Sequence, residues 1–88
     1  MMYRIQLDNC CLEPKIKMEF TFDKKYFEEV AVIAISGFRQ VMVADADTGE
    51  VVYSRYISNE HFELEDGYRN IADCVKDLLL YAKYPKGF

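Results

Sequence analysis

The chain has 88 residues, 51% of them hydrophobic and 15% aromatic, which suffices for one α+β domain, residues 1–88, with a packed core. Its 11 Lys and Arg residues against 15 Asp and Glu give a net charge of −4. Because phosphate backbones and anionic lipids repel such a chain, we expect no direct nucleic-acid or membrane binding, and a protein partner with a basic surface.

Two further classes of protein are disfavoured by the sequence pattern. Every hydrophobic run is shorter than the roughly 18 residues that a membrane span needs, and no leader pattern opens the chain, so we expect a cytoplasmic protein. The cysteines, Cys10, Cys11 and Cys74, are odd in number and two are adjacent, which predicts reduced thiols rather than a disulfide framework.

The first two predicted elements are strands. Apolar residues alternate with polar ones from Tyr3 to Asp8, and again from Ile16 to Phe22. We expect the two strands to pair as a hairpin that turns through residues 9–14. Their polar alternate positions predict one buried and one solvent-facing side.

A helix is predicted from Asp23 to Phe38. Asp23 can accept hydrogen bonds from the free N–H groups of the first turn, with Phe22 and Phe27 placed as a hydrophobic staple. Gly37 is expected to adopt the left-handed conformation that ends a helix. A strand over Val30–Ile35 is the alternative, because four of these six residues are β-branched, but the run does not alternate as a half-buried strand does.

The next two predicted elements form a second hairpin. Gln40–Asp45 and Glu50–Ile57 are the strands, and Gly49 can take the positive φ of a bulge after a type I turn. If residues 47–49 form a three-residue loop, cross-strand pairs follow on the face away from the helices. They are Ala44 with Val52, Met42 with Ser54, and Gln40 with Tyr56.

The last predicted element is a helix that starts near Asp66 and ends before Pro85. Its apolar arc would pack on the sheet, with Cys74 at the edge of that arc. The complete prediction is a two-layer α+β sandwich of order ββαββα, in which two helices cover one face of a four-stranded, mainly antiparallel sheet.

No catalytic, cofactor or metal site is predicted. Residues 45–50 resemble a calcium loop in composition, but the glycine and the last ligand fall at the wrong positions, so a solvated turn is the better interpretation. Zinc bound by Cys10, Cys11 and His61 would require ligand spacing that adjacent cysteines lack, and His61 has no marked partner as a catalytic base. A small thiol or metal protein is therefore the least favoured class.

Two surfaces are left over as candidate binding sites. One combines the outer face of the last helix with an acidic loop, although a solvated loop and cover for a sheet edge are competing interpretations. Its members are Asp73, Asp77, Leu80, Tyr81, Tyr84, Glu60, Glu63 and Glu65. The other is the open sheet face with Met42, Val52 and Tyr56, which predicts a homodimer seam.

The stretch VMVADADTGEVVYS, residues 41–54, follows an amphipathic helix and resembles the helix and hairpin of many small phage-type accessory proteins. In size and acidity the chain is also similar to anti-CRISPR and other anti-defence inhibitors. This resemblance implies a non-enzymatic inhibitor, in the host cytoplasm, that binds a host nucleic-acid-binding or defence protein through an acidic and aromatic surface. It transfers no functional residue. A self-associating structural protein is the alternative.

Overall fold

The computed structural model describes residues 1–9, 16–57 and 71–83. Across these ranges the order of elements is ββαββα, as predicted, with a 3-10 turn before the first helix. The elements are β1 (Met2–Asp8), β2 (Lys17–Asp23), the 3-10 turn (Lys24–Tyr26), α1 (Phe27–Gly37), β3 (Gln40–Asp45), β4 (Val51–Tyr56) and α2 (Ile71–Leu79).

The four strands form one sheet in the order β2-β1-β3-β4, and each neighbouring pair is antiparallel. The predicted pairing of the first two strands is confirmed. Asn9 closes that hairpin: its backbone N–H donates to the Ile16 carbonyl at 3.2 Å, and its side-chain oxygen accepts from the Ile16 N–H at 2.8 Å. Residues 10–14 of the predicted turn lie outside the described residues.

Both helices pack on one face of the sheet, which confirms the two-layer arrangement. The alternation of strand residues places one apolar set on this face, where the helices remove it from water. The opposite face carries the polar alternates. The buried core comprises Ile5, Leu7, Met18, Phe20, Phe22, Val41 and Val43 from the strands, Phe38 after α1, and Val30, Ala34, Cys74, Val75 and Leu78 from the helices.

The start of the first helical segment agrees with the predicted cap. The Asp23 carboxylate accepts a hydrogen bond from the Lys25 N–H at 3.0 Å, although the first turn is 3-10 and α1 itself begins at Phe27. The Tyr3 ring lies edge-on against Phe22 and Phe27, with centroids 6.0 and 5.7 Å away. A residue from β1 therefore fills the space between the two predicted staple residues.

The predicted left-handed stop at Gly37 is wrong. Gly37 is the last residue of α1, and the Phe38 N–H still donates to the Ala34 carbonyl at 2.8 Å. Among the described glycines, positive φ occurs at Gly49. Gly37 is needed for a different reason: a Cβ atom there would overlap Cys74 Sγ and lie 2.7 Å from Cys74 Cβ, so the missing side chain lets the two helices approach closely.

The second hairpin turns through four residues, 46–49, rather than the expected three. The Asp45 N–H donates to the Glu50 carbonyl at 2.8 Å, and the Gly49 N–H donates to the Asp45 carbonyl at 2.9 Å. Gly49 has φ = 80°, the positive value expected at this position. The pair that closes the loop is therefore Asp45–Glu50, whereas a three-residue loop would be closed by Ala46–Glu50.

This longer loop changes the pairing next to it. Ala44 lies opposite Val51, not Val52, so the predicted Ala44–Val52 pair is wrong. A bulge between Val43 and Ala44 then takes up one extra residue of β4. The two deviations cancel, and the remaining predicted pairs, Met42 with Ser54 and Gln40 with Tyr56, are confirmed.

The second helix ends earlier than predicted. α2 stops at Leu79, and the N–H groups of residues 80–82 donate to carbonyls three positions back, which tightens the last turn. The Lys83 N–H donates to the Thr21 carbonyl at 2.7 Å. Because the Lys83 N–H pairs with the β2 edge, the chain leaves the helical path. The predicted helical residues 66–70 and Tyr84 lie outside the described residues.

Candidate functional site

The strongest candidate surface lies where the chain leaves α2 and meets the 3-10 turn. Here the tightened last turn places residues 80–83 beside the end of β2, enclosing a cleft of about 340 Å³. We call this the Leu80 surface. Its residues are Asp23, Tyr26, Leu80, Tyr81, Ala82 and Lys83.

The centre of the Leu80 surface is an exposed leucine beside two ordered rings. Leu80 is 80% exposed and Tyr26 is 36% exposed. The Tyr81 and Tyr26 rings meet edge to face with centroids 5.3 Å apart, and Lys25 Nζ lies 5.1 Å from the Tyr26 centroid. The contacts hold the rings, so the surface is largely formed before any partner arrives.

The sequence-predicted residues of α2 separate into two groups. Leu80 and Asp73 are exposed, as expected for an outer face, and Asp77 is half-buried. Tyr81 is half-buried and packs against the core cluster instead of pointing outward, because the chain has left the helical path before it. The other predicted members, Tyr84, Glu60, Glu63 and Glu65, lie outside the described residues.

The described part of this surface carries both signs of charge. Asp23 has a lowered pKa, chiefly because the Lys25 N–H binds its carboxylate, with the positive charge of Lys83 adding to the effect. Lys76 is exposed on α2 beside its aspartates. Within the described ranges the surface is therefore apolar and aromatic with a mixed charged rim, rather than uniformly acidic.

The members of the predicted dimer face, Met42, Val52 and Tyr56, lie on the two strands of the second hairpin and differ in exposure. Met42 is half-buried and lines a cleft of about 450 Å³ over β1, β2 and β3, together with polar side chains. Val52 and Tyr56 lie on the outer strand β4 and are 44% and 60% exposed. Ion pairs occupy the face over the first hairpin: Arg4–Glu19 at 3.3 Å and Lys17–Asp8 at 3.8 Å. The apolar part of this face is concentrated at β4.

A buried arginine at the base of β4 is a feature that sequence reasoning missed. Arg39 is 2% exposed; its Nε donates to the Ile57 carbonyl at 2.9 Å and its Nη2 donates to the Tyr56 hydroxyl at 2.6 Å. The guanidinium lies 5.1 Å from the Tyr56 ring centroid, and Nη1 has no hydrogen-bond partner among the residues that the structure describes. No motif marks Arg39, since it is a single basic residue between Phe38 and Gln40. Its contacts hold the exposed Tyr56 ring in place.

The acidic turn 45–50 behaves as a solvated hairpin turn. Asp45 Oδ1 accepts from the N–H groups of Asp47 and Thr48 at 2.8 and 3.0 Å, and Oδ2 accepts from Lys24 Nζ at 2.6 Å. These bonds, led by that from Lys24, lower the pKa of Asp45 to about 2. Both carboxylate oxygens are therefore engaged by the chain itself.

The thiol of Cys74 is structural. It lies 0% exposed between the helices, its S–H faces the Ile33 carbonyl at 3.5 Å, and burial, with a contribution from Asp77, raises its pKa to about 12. A thiol with this pKa remains protonated near neutral pH and is a poor nucleophile. Within residues 1–9, 16–57 and 71–83, no three His, Cys, Asp or Glu side chains converge as a metal site. Cys10, Cys11 and His61 lie outside these ranges.

Comparisons with protein-family models, curated proteins and solved structures find no match to this chain. In the part of the chain that the structure describes, no helix is long and apolar enough to cross a membrane. The surfaces of the molecule itself are therefore the basis for a functional proposal.

Proposed function

We propose that the chain is a non-enzymatic protein-binding module that engages its partner through the Leu80 surface. The observation that carries this proposal is Leu80, 80% exposed at the mouth of a cleft with two ordered tyrosine rings. Burying one leucine side chain stabilises a complex by about 1.5–3 kcal/mol, and tyrosine is enriched among residues that dominate binding energy. The rings lose little freedom on binding because they already contact one another.

The partner that fits best has an apolar contact region within a basic surface. The net charge of −4 supports long-range attraction to such a protein, while Lys83 at the cleft and Lys25 beside the Tyr26 ring suit a mixed polar rim. Together with the resemblance to phage-type accessory proteins, this charge supports an inhibitor of a host nucleic-acid-binding or defence protein. In this proposal, burial of the apolar centre provides the affinity, and the negative net charge favours partners with a basic surface.

The experiment is capture from a bacterial lysate by three immobilised proteins: wild type, Leu80→Asp and Val32→Asp. Val32 is a matched control because it is also an exposed apolar helix-layer residue, 64% exposed, but lies on α1 outside the Leu80 surface. We expect wild type and Val32→Asp to retain the same basic protein, and Leu80→Asp to retain at least about tenfold less, as losing 1.4 kcal/mol of binding implies. Thermal midpoints of all three should be similar, because both positions face solvent. Equal retention by Leu80→Asp would overturn the proposal.

A second candidate function is self-association as a structural protein. It is favoured by the exposure of Val52 and Tyr56 on the outer strand β4. If two copies stack through their open sheet faces, as the sequence pattern predicts, Met42 lies in the seam and Met42→Glu should produce monomers.

A further inference from the structure

β4 is an outer strand with little cover on either side. It is last in the sheet order of the described strands, and each of its residues except the half-buried Tyr53 is exposed. The Tyr53 ring packs against Phe27 with centroids 6.1 Å apart, which attaches the strand to the helix layer. The remaining side chains are exposed, and no described strand pairs with the outer backbone edge.

The pairing of β4 with β3 determines which backbone groups point outward. The Ile57 N–H donates to the Arg39 carbonyl at 3.0 Å, so these two residues form a hydrogen-bonded pair. In an antiparallel ladder such pairs alternate, so Tyr53 and Arg55 also bond inward to β3. The N–H and C=O groups of Ser54 and Tyr56 therefore face away from the sheet.

The other outer strand shows how an edge is protected in this molecule. β2 carries the charged residues Lys17 and Glu19 at outward-facing backbone positions, and its Thr21 carbonyl is taken by the Lys83 N–H. On β4 the charged side chain is Arg55, and the strand contains no proline. The bulge disturbs only its loop end, next to Val52. An edge strand without proline and without charges at its outward-facing backbone positions is a template for another strand, and on β4 those positions are Ser54 and Tyr56.

We propose that two copies of this chain pair antiparallel through β4, centred on Ser54, so that their sheets join into one eight-stranded sheet. In this register Ser54 lies opposite Ser54 of the second copy, Val52 opposite Tyr56, and Tyr53 opposite Arg55. The inference rests on the self-association named above and is independent of the Leu80 surface.

Charge and side-chain chemistry select both the occupant and the register. Moving the centre to Arg55 would place two arginines opposite each other at a Cα separation of about 4.5 Å, where like charges destabilise a strand pair. Centring on Ser54 instead puts each Arg55 beside a Tyr53 ring, the type of contact that Arg39 already makes with Tyr56 at 5.1 Å. In a two-fold dimer, the same strand supplies both sides of the contact, so its side chains are matched by symmetry. A strand from another protein would have to carry complementary side chains of its own.

The size of the contact predicts a dimer that dissociates on dilution. About five residues from each copy take part, and such an edge contact buries less than the roughly 1,200 Å² typical of stable interfaces. The contact gains affinity from backbone hydrogen bonds and from the Val52–Tyr56 pairs at its two ends.

The first test is solution mass by light scattering over a hundredfold range of concentration. Wild type and Ser54→Ala should shift from monomer to dimer with the same midpoint, because alanine keeps the backbone N–H. Ser54→Pro should remain monomeric, since proline removes a donor that only the second copy uses, and should keep its thermal midpoint because edge strands tolerate proline at outward-facing positions. Met42→Glu should dimerise like wild type, because Met42 lies inside the sheet and not at the edge.

The second test is amide hydrogen exchange at the two ends of that concentration range. Exchange of the Ser54 and Tyr56 amides should slow at high concentration, while the Glu19 amide on the β2 edge should not change. A monomer at every concentration would overturn both the pairing and the self-association. A dimer that survives Ser54→Pro, disappears in Met42→Glu and leaves the Ser54 and Tyr56 amides unprotected would overturn the pairing alone. Neither result would alter the Leu80 capture experiment.

Discussion

The two outer strands of the sheet, β2 and β4, hold equivalent positions in their hairpins but differ in cover. On β2, Met18, Phe20 and Phe22 are at most 4% exposed, whereas β4 contributes no residue to the buried core. The residues after α2 reach β2 through the bond from Lys83 to Thr21, so the helix layer closes over that side. Equivalent positions in two hairpins therefore do not give equal burial. The position of the second helix decides which outer strand is buried and which stays exposed.

The largest expected effect separates the two strands by stability. Phe20→Ala on β2 should lower the free energy of unfolding by about 3–5 kcal/mol, because a fully buried ring is lost and leaves a cavity. Val52→Ala on β4 should change it by no more than about 0.5 kcal/mol, since 44% of that side chain is already in water. Urea denaturation followed by circular dichroism measures both.

Val43→Ala on β3 is the matched control for Val52→Ala, because both variants replace a valine of a strand by alanine. Val43 is 0% exposed, so the same substitution should cost more there than at Val52. If Val52→Ala destabilised the chain as much as Val43→Ala, the outer side of β4 would have to be covered, and the contrast between the two edges would not hold.

A smaller effect is expected where the helices meet above the sealed side. Gly37→Ala would drive a Cβ atom into Cys74. Such overpacking costs about 1–3 kcal/mol, while alanine gains about 1 kcal/mol of helix propensity over glycine, so we expect a net loss of up to about 2 kcal/mol. Adding Cys74→Ala should restore only part of it, because the overlap with Sγ is relieved but the 2.7 Å approach to Cβ remains. A Gly37→Ala chain more stable than wild type in thermal unfolding would contradict this helix contact.

The smallest effect concerns the ion pair that joins the two hairpins. Asp45 has a pKa of about 2 against an ordinary value of 3.8, first because Lys24 donates to it. Since the folded-state pKa is lower, this contribution to stability is complete above about pH 4 and is lost as the pH falls toward 2. Lys24 has a raised pKa through the same bond, so its contribution disappears only in strong alkali.

The measurement is the thermal midpoint between about pH 5 and pH 2. Asp45→Asn should lower the midpoint at pH 5 and make it fall less steeply with acid than in wild type. Asp47→Asn is the control, because it changes an exposed residue of the same turn and should retain the wild-type slope. Identical acid profiles for wild type and Asp45→Asn would show that the pair does not link the hairpins energetically.

Much of the fold could be predicted from local signals. The alternation in β1 and β2, the Asp23 cap and the positive φ at Gly49 each arise from a few neighbouring residues, and the structure contains all three. The strand register of the second hairpin could be predicted only in part. A four-residue loop and a bulge cancel beyond Val43, and no nearby residue specifies either one.

The candidate site was less predictable because it depends on distant segments. The wheel placed Tyr81 outward, but packing against Tyr26, 55 positions earlier in the chain, turns it inward and leaves Leu80 exposed. Arg39 had no sequence signal at all, because its partners Tyr56 and Ile57 follow it by 17 and 18 positions, on the other strand of the same hairpin. Helical periodicity predicts which residues share a face of one helix, but it does not predict contacts with residues far away in the sequence.

By itself the sequence determined the elements, their order and the apolar face of each strand, because hydrophobic periodicity and turn chemistry act over a few residues. Only the tertiary structure decided that Gly37 serves a helix contact, that the Lys83 N–H binds the β2 edge, and that the residues of β4 stay exposed. These outcomes depend on where α2 can settle against α1, and that position is set by close packing between residues far apart in the chain.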